Sequence, residues 1–262
     1  MKAMILAAGL GTRLRPLTGT RPKALVELNG RTLLEITIRR LQSFGVTEAI
    51  INVHHFADMV EAYLQSKNNF NMRLEISCED DQLLDTGGGL KKAAWFFEEN
   101  SATSGEPFFL HNVDILSTID LNAMLQFHKQ NQALATLAVQ SRPSSRQLLF
   151  KSDLQLAGRA ESESPIATSH SSRPLSQTSS SLLPLAFSGI HVLSPRLLPL
   201  LTETGPFPIM DSYLRLSFQD QKILAFRHDH SYWRDLGKPA DLAQAALDLQ
   251  QVDLFDPTAR NS

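Results

Sequence analysis

Cysteine is almost missing from this 262-residue chain, which holds Cys78 alone. A single thiol cannot close an intrachain disulfide or build a Cys-rich metal site. A basic excess is missing as well. The 25 Lys and Arg face 27 Asp and Glu, for a net charge of -2, which excludes the broad cationic surface of a nucleic-acid binder. No stretch approaches the roughly 20 apolar residues that cross a bilayer, so no membrane partner is expected. The apolar run after Met1-Lys2 is broken at Gly9, too early for a signal peptide, and a cytoplasmic location is expected. No internal repeat is visible.

The length suffices to bury the core of one α/β domain, expected over 1–251 with a loose tail at 252–262. Apolar runs of strand length recur at Ala3–Ala8, Ala49–Val53, Arg73–Ser77, Pro107–Asn112 and Ala133–Gln140. Amphipathic stretches separate them: Thr32–Phe44, Ala57–Gln65, Leu90–Glu98 and Ile119–Gln130. This alternation predicts a mostly parallel central sheet with helices on both faces. Ligands on such sheets sit beyond the C-terminal strand ends. Downstream, short strands are predicted at Gln147–Phe150 and Leu154–Leu156, and longer ones at Ala186–Leu193 and Ile223–His228. Helices are predicted at Asp211–Phe218 and Pro239–Gln250. Between them, 161–184 is dense in Ser and Pro and reads as a mobile loop, with a lid as the sharper alternative.

The chain's most informative stretch follows the first strand. Met4–Ala8 empties into Gly9-Leu10-Gly11-Thr12, with Arg13, Arg15 and then Lys23 close behind. Bare backbone N–H groups at a strand end, with cations beside them, attract phosphate. The turn fits neither standard phosphate loop. Thr12-Arg13 stands where a Walker loop needs Lys-Ser/Thr, and Leu14 stands where the dinucleotide fingerprint needs its third Gly.

Gly9-Leu10-Gly11-Thr12-Arg13-Leu14-Arg15-Pro16-Leu17-Thr18, followed by Pro22-Lys23, resembles the opening motif of the sugar-1-phosphate nucleotidylyltransferases. The likeness continues, in that family's order, through Asp85–Gly89, Asn112-Val113-Asp114, Phe187–Ile190 and Trp233–Gly237. The compact length is most similar to the N-acetylmuramate-1-phosphate uridylyltransferases and mannose-1-phosphate guanylyltransferase-like members. The resemblance implies a Rossmann-like sheet of the nucleotide-diphospho-sugar transferase type. No hexapeptide repeat follows it, so no C-terminal β-helix is expected.

It also implies a reaction. The phosphate of a sugar 1-phosphate attacks the α-phosphorus of a nucleoside triphosphate (NTP) and pyrophosphate leaves. The nucleophile is already an anion, so the obstacle is repulsion between two polyanions, and positioning plus positive charge should overcome it. By resemblance, Leu6, Ala7, Ala8 and Gly9 meet the nucleobase, and Gly11, Thr12 and Arg13 meet the leaving phosphates. Lys23 reaches the α-phosphate. Gly87 lacks a side chain where the base would lie, and Glu79 or one of Asp80, Asp81 and Gln82 adds a polar contact. Asp114 and Asp235 pair on one Mg2+, an ion that takes oxygen ligands. Asp114 could instead cap the next helix, a task Asp120 could also do, and Asp235 could be a turn residue.

Sugar contacts fall to Asn112 and Gly189. Relatives often carry a lysine shortly before the Gly189 strand, whereas Glu161–Pro165 has none here, and Arg146 or Arg159 could replace it. Arg15 and His228-Asp229-His230 read as solvated surface, and Trp233 as an aromatic plug; His54-His55 follow a strand, where adjacent side chains point to opposite faces and cannot chelate one ion together. His111 is assigned no proton-transfer role. Substrates are small molecules, and the chain is expected to be a monomer or small homo-oligomer. Two rivals remain in sequence: a metal-dependent glycosyltransferase of similar fold, and a non-catalytic nucleotide-sensing subunit.

Overall fold

Alternate residues of the first strand, β1 (Lys2–Leu6), enter opposite cores. Ala3 and Ile5 join one apolar cluster, while Met4 and Leu6 join another. A period of two with both faces apolar is the mark of a central strand covered on each side. In the computed structural model, which describes residues 1–98, 105–160 and 182–250, β1 lies between two parallel neighbours.

After a small hairpin of β2 (Glu27–Leu28) and β3 (Arg31–Thr32), helix α1 (Leu33–Ser43) leads to β4 (Glu48–Val53). Helix α2 (Ala57–Ser66) leads on to β5 (Arg73–Cys78). Helices α3 (Asp85–Lys92) and α4 (Ala94–Glu98) precede β6 (Phe108–Asn112) and β7 (Ile115–Ser117). Next come α5 (Leu121–Asn131), β8 (Ala135–Gln140), β9 (Gln147–Phe150) and β10 (Leu156–Arg159). The eleven-residue β11 (Leu183–Leu193), α6 (Ile209–Phe218), β12 (Ile223–Arg227), β13 (Trp233–Asp235) and α7 (Pro239–Asp248) complete the described chain.

Nine strands form one mixed sheet. Its main path runs β10-β9-β11-β6-β1-β4-β5, with β8 on β11 and β12 on β8. The β6-β1-β4-β5 half is wholly parallel, as the alternating pattern predicts. Antiparallel β11 joins it to the second half. The register sets Leu6 of β1 opposite Asn52 of β4 on one side and Asn112 of β6 on the other, so three strands end level at one rim.

Two expectations change. The helix predicted from Leu90 begins at Asp85 and runs through Gly87-Gly88-Gly89, because tertiary packing overrides their poor helix propensity. Leu183 and Pro184, expected in the Ser/Pro loop, open β11 by pairing with Phe150 and Leu149. Residues 161–181 of that loop and the expected tail lie outside the described residues. Among the described residues, no helix is long and apolar enough to cross a membrane.

Candidate active site

At the level rim, backbone leaves β1 with its first residues held by a neighbour. Asn52 accepts a hydrogen bond from the Ala7 N–H at 2.8 Å and donates to Glu79 at 2.8 Å. The other carboxylate oxygen of Glu79 accepts the Leu84 N–H at 2.7 Å. Glu79 is 1% exposed, whereas Asp80, Asp81 and Gln82 are exposed, which separates the four candidates for a polar wall. Sequence reading missed Asn52, although an asparagine among Ile50, Ile51 and Val53 was the available signal.

The glycine turn is fixed by its own residues. Gly11 sits at φ +60, where an added Cβ would come within 2.9 Å of Thr18, and the Thr18 hydroxyl donates to the Gly11 carbonyl at 2.8 Å. Buried Leu14 anchors the following short turn, Thr12–Leu14, leaving Thr12 and Arg13 exposed ahead of it. Leu6–Gly9, Lys23, Glu79, Asn112 and Asp114 line one cavity of about 300 Å3.

Lys23, only 8% exposed, forms an ion pair with Asp114, which follows β6 by two residues. Asp114 does not cap α5; Asp120 does, accepting the Ala123 N–H at 3.0 Å. Val113 packs into the core, 4% exposed, while also bordering the cavity between Asn112 and Asp114. Asp235 arrives by a device the sequence did not announce. Strand β13 pairs antiparallel with β7 and sets Asp235 opposite Ile115, while the Leu236 N–H donates to the Asp114 carbonyl at 2.8 Å. Two acids far apart in sequence thereby become neighbours.

The guanidinium of Arg13 lies against the same place. A Cβ added to Gly237 would stand 2.5 Å from Arg13 Nη2 and 2.8 Å from Asp235 Oδ1, so this glycine leaves room for both. Burial and the charge of Asp114 raise the Asp235 carboxyl above its ordinary range, against the opposing pull of Lys23, the Gly237 N–H and Arg13. Arg13, Lys23, Asp114 and Asp235 thus form one electrostatic group beside the glycine turn. Two repelling carboxylates presenting oxygen donors suit a hard divalent ion that takes its remaining ligands from phosphate and water. Among the described residues, no group of three or more His, Cys, Asp or Glu is placed to hold a metal ion by itself.

A model of the nucleotidyl transferase family matches residues 2–151, more than half of the chain. The chain belongs to the nucleotidyl transferase family. It is 32% identical over 252 residues to N-acetylmuramate alpha-1-phosphate uridylyltransferase of Caulobacter vibrioides, covering 93% of this chain and 95% of that protein. It is 30% identical to mannose-1-phosphate guanyltransferase beta-B of Xenopus laevis over 96% of this chain, but spans only 66% of that longer protein. Among solved structures, a putative glucose-1-phosphate thymidylyltransferase from Bacillus anthracis superposes with a TM-score of 0.76 at 17% identity, covering 98% of this chain and 99% of that one. At that identity the likeness concerns the fold alone.

Not every expected residue of this nucleotidyltransferase joins the group. Gly87 is buried, donates its N–H to the Phe207 carbonyl at 2.9 Å, and is absent from the cavity wall. A Cβ there would meet the Phe207 ring at 2.3 Å, so its missing side chain makes room for Phe207 and not for a base. Gly89 does the parallel service for the Asn52–Glu79 pair, 2.7 Å from an added Cβ. Asp85 and Thr86 line the cavity in place of Gly87. Gly189, at φ +77, faces Ile115 and Asn112 Nδ2, which brings the two expected sugar contacts together. Arg146 is exposed at the turn before β9 and does not line the cavity. Arg159 is also exposed and pairs with Asp211.

His228, read as solvated, is 5% exposed and hydrogen-bonds Ser188 Oγ at 2.7 Å. Burial drives His111 and His228 down to about 4, so both are neutral at pH 7. Neither offers a proton donor poised near neutrality, in keeping with a nucleophile that needs no activation.

The raised Asp235 carboxyl has a consequence for stability. The folded protein binds this proton more tightly than the unfolded chain, so stability falls as pH rises from the unfolded value, about 3.9, through the higher folded one. Asp235→Asn keeps an acceptor for the Gly237 N–H and removes the charge. In the presence of a chelator this variant should melt above wild type at pH 7, with the gap closing below about pH 4. Thermal melts across that range check it; a wild type that melts as high at pH 7 contradicts the repulsion between the two acids.

Proposed function

We propose that this nucleotidyltransferase joins an NTP to a sugar 1-phosphate, giving a nucleotide-diphospho-sugar and pyrophosphate. One observation carries the reading: Arg13, Lys23, Asp114 and Asp235 converge beside the cavity at the C-terminal ends of β1 and β6. A glycosyltransferase acting on a finished nucleotide-sugar has no leaving pyrophosphate for Arg13 to meet.

In this reading the base enters the cavity between the Ala7–Gly9 backbone and Glu79, with Asn52 holding both walls in place. The sugar 1-phosphate lies toward Asn112 and Gly189. Its phosphate oxygen bonds to the α-phosphorus as the bond to the β-phosphate oxygen breaks in line, and no proton moves. Lys23 shifts part of its charge from Asp114 onto the α-phosphate. Arg13 spans the departing pyrophosphate with its planar fork. Asp114 and Asp235 would hold Mg2+, which supplies charge neutralisation at the phosphates when bound.

A relative matched along 95% of its own length is an N-acetylmuramate alpha-1-phosphate uridylyltransferase, which favours UTP and N-acetylmuramate 1-phosphate as first substrates. The test is pyrophosphate release from ATP, CTP, GTP and UTP, each against N-acetylmuramate, mannose and glucose 1-phosphates with Mg2+. One pair should stand out, with UTP the expected base. Nucleotide-sugar consumed without any pyrophosphate formed from these pairs would sink the reading.

A further inference from the structure

Outside the four-residue group, a cation that feels the charge of Asp235 is Arg142, which follows β8 by two residues. Its guanidinium lies 3.7 Å from the centre of the Trp233 ring, and Nη2 donates to the Phe187 carbonyl at 2.8 Å. Trp233 is itself held, donating Nε1–H to the Ser188 carbonyl at 2.9 Å. The turn carrying Arg142 is pinned from the other side. Ser141 N–H donates to Asp229 at 2.7 Å, Gln140 donates to the Asp229 and Ser231 carbonyls, and Asp229 pairs with Arg227. A long cation held at its base, along its plane and at one tip has given up its rotamer freedom before any ligand arrives.

Yet this arginine is incompletely used. Its Nε is buried with no hydrogen-bond partner among the described residues. That buried atom is not the one a ligand reaches; Nη1, which has no hydrogen bond among the described residues and is not buried, is the donor left for an acceptor from outside.

Position indicates which acceptor. Side chains two apart on a strand share a face, so Trp233 and Asp235 of β13 look the same way, roughly 7 Å apart. Arg142 stacks at Trp233, and Arg13 lies at Gly237. Cations therefore stand on both sides of Asp235, whose charge Arg142 also feels. Arg13 belongs to the glycine turn and the triphosphate. Arg142 belongs to the opposite side, beside Phe187 and Ser188, the residues that lead into Gly189.

We propose that Arg142 binds the phosphate monoester of the second substrate and orients it toward the nucleotide, with Trp233 as the platform that aims the guanidinium. The assignment rests on the proposed reaction. It gives each of the two anions its own arginine, so neither must share Lys23 as they approach. A planar, pre-aimed fork suits a phosphate better than a mobile ammonium would.

The experiment is steady-state kinetics of Arg142→Met and Arg142→Lys. It uses UTP and whichever of N-acetylmuramate 1-phosphate and mannose 1-phosphate the wild type turns over. Methionine keeps an unbranched stem over Trp233 and removes the charge. KM for the sugar 1-phosphate should rise roughly 10- to 100-fold in Arg142→Met, the range for losing a charge-assisted hydrogen bond, and less in Arg142→Lys. KM for UTP should stay within about twofold, a split that loss of a mere strut would not produce. An unchanged sugar-phosphate KM, or a parallel rise in both constants, overturns the proposal. Should the methionine variant fail to fold, the lysine variant decides by the same two outcomes. A wild type that releases no pyrophosphate with any pair of the four nucleotides and three sugar 1-phosphates overturns the reaction itself, whereas an active wild type with unaffected variants overturns Arg142 alone.

Discussion

Asp114→Asn should reduce turnover by roughly 10^2- to 10^3-fold, the loss seen when one preorganised electrostatic contact is removed from an active site. Asp114 leaves β6 at the rim, meets Lys23 in an ion pair, and adjoins Asp235 through the β13–β7 pairing. Asparagine fits the same space and keeps one oxygen for Lys23, but the negative charge is gone. The fold should survive, because the change also removes the repulsion that raises the Asp235 carboxyl. Circular dichroism and a thermal melt establish the fold, and pyrophosphate release establishes the activity. Full activity in a folded Asp114→Asn protein would remove the acid pair from the mechanism.

Removal of the Arg13 guanidinium should be nearly as damaging. Arg13→Ala is expected to lower kcat by roughly 10^2-fold or more while leaving the melting temperature close to wild type, since the residue is exposed and caps no core. Arg13→Lys should restore little, because a point charge cannot span two phosphate oxygens as a planar fork does. Gly237→Ala gives an independent route to the same result. Its Cβ would stand 2.5 Å from Arg13 Nη2, and the flexible end of Arg13 can yield without unfolding anything. The same Cβ would stand 2.8 Å from Asp235 Oδ1, so a folded Gly237→Ala enzyme with reduced kcat supports Arg13 and Asp235 sharing this place. Wild-type kcat in both Arg13→Ala and Gly237→Ala would separate this arginine from the reaction.

Local features were the legible ones. The apolar run into Gly9-Leu10-Gly11-Thr12 marks a central strand and its phosphate turn, because both follow from period and backbone freedom within a dozen residues. Phe108–Asn112 delivers Asp114 to the rim for the same reason, and Asp120 announces its helix cap. Partners from elsewhere in the chain were not legible. Gly87 is small because of Phe207, which lies 120 residues later, so reading its neighbours alone suggests a nucleobase. The short β13–β7 pairing that unites Asp114 and Asp235 is three residues long on each side and carries no periodicity of its own. Arg142 and Arg146 sit in one polar stretch, and contacts from far along the chain, the Trp233 ring and the Phe187 carbonyl, distinguish them. His228 shows the converse error: a polar-looking His-Asp-His fragment is buried because Ser188 supplies its hydrogen bond.

The most direct test is a crystal structure of the protein with Mn2+ and a non-hydrolysable uridine triphosphate analogue, phased on the manganese anomalous signal. The account predicts one manganese peak touching both Asp114 and Asp235, with Lys23 on the α-phosphate and Arg13 on the outer phosphates. Manganese bound away from these two carboxylates, or an Arg13 guanidinium turned from the phosphates, would contradict it.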